Sequence, residues 1–387
     1  MHKSLSKFVD RKRSQKIPLP ELPPTRCYAL TPSPSQEALA FTDASATADS
    51  DFFQLLPFEL RRKILVEAFG NRTVHIDLVY DHPILPLEDR KITPSLHNRH
   101  AYFAPPWLRS QGELWAFKEW YWQGSVCHRE SPSVAGTPMA HPLWKDECHR
   151  GVDSTWCSFR PGMSMDICCI GVMGWLLSCR QAYVEAIDVL YSTNTIHMAS
   201  NAMILNLPRL LLPQRLASIT SIEMLWNLHP FRESNVNDPL DSDPRAFHCL
   251  LQAMPLLFPG LRKLFISFHG DVLPPGKGSN ARFEASESAI LRPIDEMVGR
   301  LNARECHVAV PTSIYVPRKL KATGTGIYLE PSRLRNVWER IWRPLSNSDD
   351  QDDDSSSHRG YWLYHGKVDM PWIYKYGEKY PPDDEVL

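Results

Sequence analysis

Apolar side chains first recur with a helical step in FFQLLPFELRRKILVEAFG, residues 52–70, where Leu56, Leu60, Ile64 and Ala68 are spaced by four. That period predicts an amphipathic helix with this stripe buried, Pro57 at its first position and Gly70 closing it. Arg61, Arg62 and Lys63 then fall on the opposite, solvated face. The following TVHIDLVY alternates as a strand does, and His75 is read as a strand residue rather than a ligand. A second helical period runs through GWLLSCRQAYVEAIDVLYS, with Leu176, Cys179, Tyr183, Ile187 and Leu190 on one face. Cys179 is therefore expected in a core, and NTIHM follows as a short strand.

Between residues 219 and 310 the pattern switches repeatedly. ITSIEMLWNL, LRKLFISF and CHVAV read as strands, and AFHCLLQAMPLLF and ESAILRPIDEMVGRLNA as the helices between them. Met224, Phe265 and Val308, one from each strand, are 41 and 43 residues apart. Strand, helix and strand at that spacing imply crossover connections and a largely parallel sheet. The expected fold is thus α/β, with a mixed α+β arrangement as the alternative, and the period is compatible with irregular leucine-rich-repeat-like units. RLRNVWERIWRPL reads as one more short helix, and the aromatic YWLYHGKVDMPWIYKY as a segment that docks back on the body.

Other stretches lose periodicity. Residues 1–50 combine a basic start with a Pro- and Ser-rich tract and are expected to stay extended; Arg11, Lys12, Arg13 and Lys16 form a candidate import signal. Residues 81–165 read as a long irregular Trp-rich insertion holding one helix over WLRSQGELWAFKEWYW, and 346–358 as an acidic solvated loop. One domain over 51–345, carrying that insertion, with residues 359–387 folded back on it, is the expected organisation.

Composition narrows the setting. Hydrophobic residues make up 43% and charged residues 22% of 387, so most of the chain should fold. The net charge of -1 provides no global field toward nucleic acid or an anionic membrane, and no apolar run is long enough to span a bilayer. Nine cysteines without regular spacing point to reduced thiols, hence to cytoplasm or nucleus.

The LLPFELRRKIL helix leading into TVHIDL, and later LLSCRQAYVEAIDVLYSTNTIHM leading into SITSIEMLW, resemble an uncharacterised fungal F-box-like family, of the kind described as domain of unknown function 7730. The matching blocks are about 52–80 and 172–228, and they depart from a true F-box in lying roughly one hundred residues apart. The resemblance implies an F-box-like helical element packed on the sheet body. It implies no activity. Its implied partner is a protein, in particular a Skp1-type ubiquitin-ligase adaptor, docking on Leu56, Pro57, Leu60 and Ile64.

Motifs for catalysis are missing. No Gly-x-Ser-x-Gly elbow occurs, Gly276-Lys277-Gly278-Ser279 reads as a loop turn, and so does Gly324-Thr325-Gly326. Cys127-His128, Cys148-His149, Cys157, Cys168 and Cys169 lack the close pairs of a structural zinc site. Glu67 with Asp77, or Glu185 with Asp188, read as surface carboxylates in no setting that would shift a pKa. The aromatic stripe around Trp115, Trp120 and Trp122 is read first as core and second as a partner surface. The expectation is a non-catalytic interaction protein without cofactor, with an unrecognised enzyme or a small nuclear scaffold as alternatives.

Overall fold

Apolar residues at alternate positions of successive strands, each followed by a helix with its own apolar stripe, can be buried together only by laying the helices on one face of a common sheet. The computed structural model has that arrangement. It describes residues 19–20, 47, 49–81, 119–127, 170–231, 244–270, 272, 279–325, 329–330, 340–345, 359–367 and 369. Nearly all of the basic tail, most of the 81–165 stretch with Trp115, the acidic run and the chain beyond 369 lie outside those residues.

The chain opens with helices α1 (Asp51–Leu55) and α2 (Phe58–Phe69), then strands β1 (Thr73–Asp81) and β2 (Glu119–Val126). Helices α3 (Val172–Leu176) and α4 (Arg180–Ser192) lead into β3 (Thr195–Met198), and three short helices, α5 (Asn201–Leu205), α6 (Leu207–Leu210) and α7 (Pro213–Ser218), into β4 (Ser221–Asn227). Helix α8 (Pro244–Leu257) precedes β5 (Lys263–His269). Helix α9 (Ser279–Ser286), a π-helical turn over Glu287–Leu291 and helix α10 (Arg292–Arg300) precede β6 (Glu305–Val310). The described elements end with α11 (Thr312–Thr325), β7 (Leu329–Glu330), β8 (Arg340–Pro344) and β9 (Gly360–His365).

The nine strands form one sheet in the order β2-β1-β3-β4-β5-β6-β9-β8-β7. From β1 to β9 neighbours are parallel, and the outer pairs β1–β2, β9–β8 and β8–β7 are antiparallel. Register advances evenly: Ser221 lies beside Lys263 and Lys263 beside Glu305, a step of 42 residues each time. That step exceeds the roughly 20–29 residues of a leucine-rich repeat, and full helices occupy the difference. Ile222, Leu264 and Cys306 make one buried row, and Met224, Ile266, Val308, Leu363 and Ile341 the next. Both rows join a single core with Phe247, Met254, Ile294 and Met297 from α8 and α10.

Several expectations need correction. Glu119–Val126 is an edge strand rather than part of a helix, because its alternate aromatics pair across to β1, Trp120 with Tyr80 and Trp122 with Leu78. Arg340–Pro344 is likewise a strand, held between β9 and β7. Residues 324 and 325 belong to α11 rather than to a turn, and Ser279 opens α9. The second helical period is broken at 177–179, where Ser178 Oγ donates to Trp175 O at 2.7 Å. Cys179 is therefore not a core residue: it caps α4, its sulfur accepting from Ala182 N at 3.4 Å.

Of the aromatic C-terminal segment, residues 359–367 and 369 are described. Gly360–His365 enters the sheet beside β6, Thr312 Oγ1 and His365 Nε2 are 2.9 Å apart, and Ser313 N donates to Asp369 at the start of α11. The π-helical turn has a local cause. Pro293 has no N–H with which to continue the regular ladder, and Arg292 N–H reaches back five residues to Glu287 O.

Asn194 ties the two ends of this body together. Its fully buried amide donates to Phe69 O at 2.8 Å and Leu190 O at 2.9 Å, while its oxygen accepts from Arg72 N at 2.9 Å. Asn194→Ala strips three buried backbone groups of their partner, and each such group costs about 1–3 kcal/mol. A loss of at least about 3 kcal/mol in urea-denaturation free energy is expected; an unchanged midpoint would contradict this role.

Candidate functional site

Two surfaces concentrate side chains that the core does not use. The first is the helical element α1–α4. Leu65 is buried against Val172, Leu176, Ala186 and Val189, so α2 and α4 do meet, as the two helical periods predict. They do not meet through the expected stripe. Leu56 is half-buried and Pro57 exposed, while Leu60 and Ile64 are 49% and 45% exposed. The buried face is the adjacent one, through Leu65 and Phe69, and Arg61 belongs to it.

Arg61 explains the rotation. Its guanidinium donates to both oxygens of Glu185, at 2.9 and 2.7 Å, and to Leu56 O at 2.6 Å, closing the turn between α1 and α2. A long arginine can bury its stem while a planar fork satisfies its charge, so an Arg on the inner face is stable once a carboxylate opposes it. Ala182 and Ala186 of α4 are fully buried, Ala186 in the cluster with Leu65. Arg62 and Asp188 form a second bridge at 3.1 Å, with both side chains nearly half exposed.

The consequence is a concentration of exposed apolar side chains. Seven of the eleven exposed large hydrophobics among the described residues lie on this element: Leu55, Phe58, Leu60 and Ile64 on α1–α2, and Met173, Leu177 and Val184 on or beside α3–α4. The helices that carry them are fixed by Arg61–Glu185, by Asn194, and by Phe52 and Phe53 packed on Trp175 at 5.0 and 5.9 Å.

The second surface is the sheet face turned away from the core helices. A transverse row crosses it: His75, His197, Glu223, Phe265, His307, Trp362 and Trp342 are neighbours by register. The His75 and His197 rings are 4.3 Å apart, and His197 Nδ1 is 3.2 Å from Glu223. Phe265 stacks on His307 at 5.9 Å, His307 Nδ1 meets Tyr364 Oη at 3.1 Å, and Arg340 lies over Trp362 at 4.0 Å. Burial holds His307 down at about 4, so it is neutral at physiological pH.

Asp77 sits one row away, and burial raises its pKa, contrary to the expectation that no carboxylate here would be shifted. Its Oδ1 accepts from Ala199 N and Ser200 N, both at 2.8 Å, at the start of α5. Those bonds give it a structural task, joining β1 to the β3–α5 turn. Of the other suspected acids, Glu185 is occupied by Arg61 and Asp188 by Arg62, while Glu67 is an exposed residue of α2.

Trp120 packs against the main core and its ring is 5.1 Å from Tyr80, whereas Trp122, on the same strand face, is 46% exposed. They sit on β2 and not on the helical element with Leu60 and Ile64; Trp115 lies outside the described residues. Of the cysteine and histidine cluster near the insertion only Cys127 is described, in no disulfide, and no group of metal-ligating side chains occurs among the described residues. No described helix is long and apolar enough to cross a membrane.

Residues 144–316 match a domain of unknown function, DUF7730. DUF7730 similarity therefore runs across α3, α4 and four of the six parallel strands, β3–β6, with their intervening helices, and leaves out α1, α2, β1, β2 and β7–β9. No curated protein and no solved structure matches the chain.

The transverse row went unread in the sequence because its members occupy every second strand position, where polar and aromatic residues ordinarily mark a solvated face. The signal that could have found it is the recurrence of histidine at positions 75, 197 and 307 of three separate strands.

Two outcomes follow. Removing one partner of a buried pair costs about 3–5 kcal/mol, and an exposed pair contributes about 0–1 kcal/mol. Glu185→Ala is therefore expected to destabilise strongly and Asp188→Ala hardly at all in matched urea titrations. For His307 the folded value lies below the ordinary 6.5, so between 6.5 and about 4 the unfolded chain binds the proton more readily. Its contribution is intact above 6.5 and lost as pH falls, by up to ~3 kcal/mol. His307→Phe, which preserves stacking on Phe265, should flatten the decline of stability over that acid range.

Proposed function

We propose that this protein is a non-catalytic protein-binding module whose helical element docks on a partner through the apolar face carrying Leu60 and Ile64. The observation that carries this reading is the concentration of exposed hydrophobics on α1–α4, in a chain that otherwise buries such side chains efficiently. Contiguous exposed apolar surface is costly in water and characteristically marks an interaction site. The element is also held rigidly, which reduces the ordering entropy that binding must overcome.

A Skp1-type adaptor is the partner we infer, making the chain an F-box-like substrate adaptor of a ubiquitin ligase. The Leu56-Pro57 turn that opens α2 and the exposed stripe after it support this, since they offer apolar side chains where an F-box helix would. The partly buried half of the histidine and aromatic row, Phe265, His307, Trp362 and Trp342, is the second surface we assign to a substrate protein.

Co-expression with Skp1 tests the assignment. Leu60→Asp and Ile64→Asp replace half-exposed side chains, for which stability changes stay within about 0.5 kcal/mol. Stable co-purification with the wild-type chain, lost in both variants at unchanged urea midpoints, is the expected result. Absence of Skp1 from folded wild-type protein refutes the adaptor assignment.

A further inference from the structure

We infer that this chain pairs with a second copy of itself through the outer edge of β2, strand against antiparallel strand, so that two nine-stranded sheets join across a two-fold axis. Strand β2 ends the sheet, and among the described residues it pairs with β1 alone. Cys127 N donates to Thr73 O at 2.8 Å. Such bonds alternate along an antiparallel pair, so Tyr121, Gln123 and Ser125 direct their backbone groups to β1, while Trp120, Trp122, Gly124 and Val126 direct theirs outward. That outward row of N–H and C=O groups is a template for another strand.

The two edges of the sheet differ. At the far edge, β7 has only two residues, too few to template a neighbour. Longer edges are commonly closed to pairing by lysine, proline or a bulge. Strand β2 has eight residues, neither lysine nor proline among them, and its register with β1 runs from 119 to 126 without interruption. No residue from Trp120 to Val126 is charged.

The strand's own sequence selects the occupant. Outward residues must meet outward residues, and of the symmetric registers only the one centred on Gln123 engages all four. It sets Trp120 against Val126 of the second copy, and Trp122 against its Gly124. Trp122 is 46% exposed, and Gly124, exposed on the same strand face, has no side chain. An aromatic ring laid across a strand glycine covers bare backbone and is itself covered. Each copy thus brings one uncovered ring and one gap, and two-fold symmetry makes both contacts at once. The same register puts Glu119 opposite Cys127, so no charge faces its like across the axis. A different protein would have to supply a tryptophan and a glycine at matching positions; this strand already carries both.

The test uses the full chain in sedimentation equilibrium. A mass twice that of the single chain is expected at micromolar concentration. Trp122→Lys removes the ring and sets two cations beside the axis. Gly124→Pro removes one outward N–H and spares the bonds to β1, a change that edge strands accept. Each should weaken dimerisation by about tenfold or more at an unchanged urea midpoint, whereas Leu60→Asp on α2 should leave the dimer intact. The register is read by Gln123→Cys. The two substituted positions face each other as a non-hydrogen-bonded pair, within the Cα separation that a disulfide spans. Mild oxidation should therefore cross-link this variant into a dimer, well beyond the wild-type chain on the same non-reducing gel. A single-chain mass at every concentration, as when another stretch of this chain or a different protein occupies the edge, overturns the inference. So does a dimer that Trp122→Lys and Gly124→Pro both leave intact, or one that Leu60→Asp abolishes.

Discussion

The structure depends on one buried side chain meeting three backbone groups from two distant stretches of chain. Asn194 accepts from Arg72 and donates to the last carbonyls of α2 and α4, and beside it Thr195 N donates to Arg72 O, starting the β1–β3 ladder. A buried amide is tolerated only when its hydrogen bonds are made, so the geometry of that junction is tightly specified. It joins residues 51–81 to residues 172–198, and through β3 to every parallel strand that follows.

From that junction the sheet extends by repetition. Each parallel strand offers alternate residues to the helix-covered side, and the helices between strands share one core, so one sheet face is committed to packing. The other is free to hold chemistry. His197 and Glu223, the Phe265–His307 stack and the Arg340–Trp362 contact all lie there, linked by register rather than by nearness in sequence. Parallel pairing aligns them: side chains at matched positions of neighbouring strands point the same way.

The helical element obeys a different rule. Helix α2 carries apolar residues on more than one side, Leu60 and Ile64 on one stripe and Leu65 and Phe69 on the next. Hydrophobicity alone would bury either. Arg61 breaks the tie, because Glu185 on the facing helix satisfies its charge. An ion pair of little net worth to stability can thus decide which apolar face stays available to a partner.

The α/β class, the parallel strands at 219–310 and the strand at 73–80 were legible in the sequence, because each rests on periodicity within a few residues. The helical reading of Glu119–Trp122 and Arg340–Pro344 failed: a short aromatic run suits helix or strand equally, and pairing with β1 or β9 made the choice. The buried face of α2, the histidine row and the network of Glu287 and Asp295 with Arg343 were decided by tertiary structure alone. Each depends on residues that lie far apart along the chain, such as Arg61 with Glu185 or Glu287 with Arg343. Local sequence determines which elements can form; which of their faces is covered is fixed only when a distant partner satisfies a charge or a hydrogen bond.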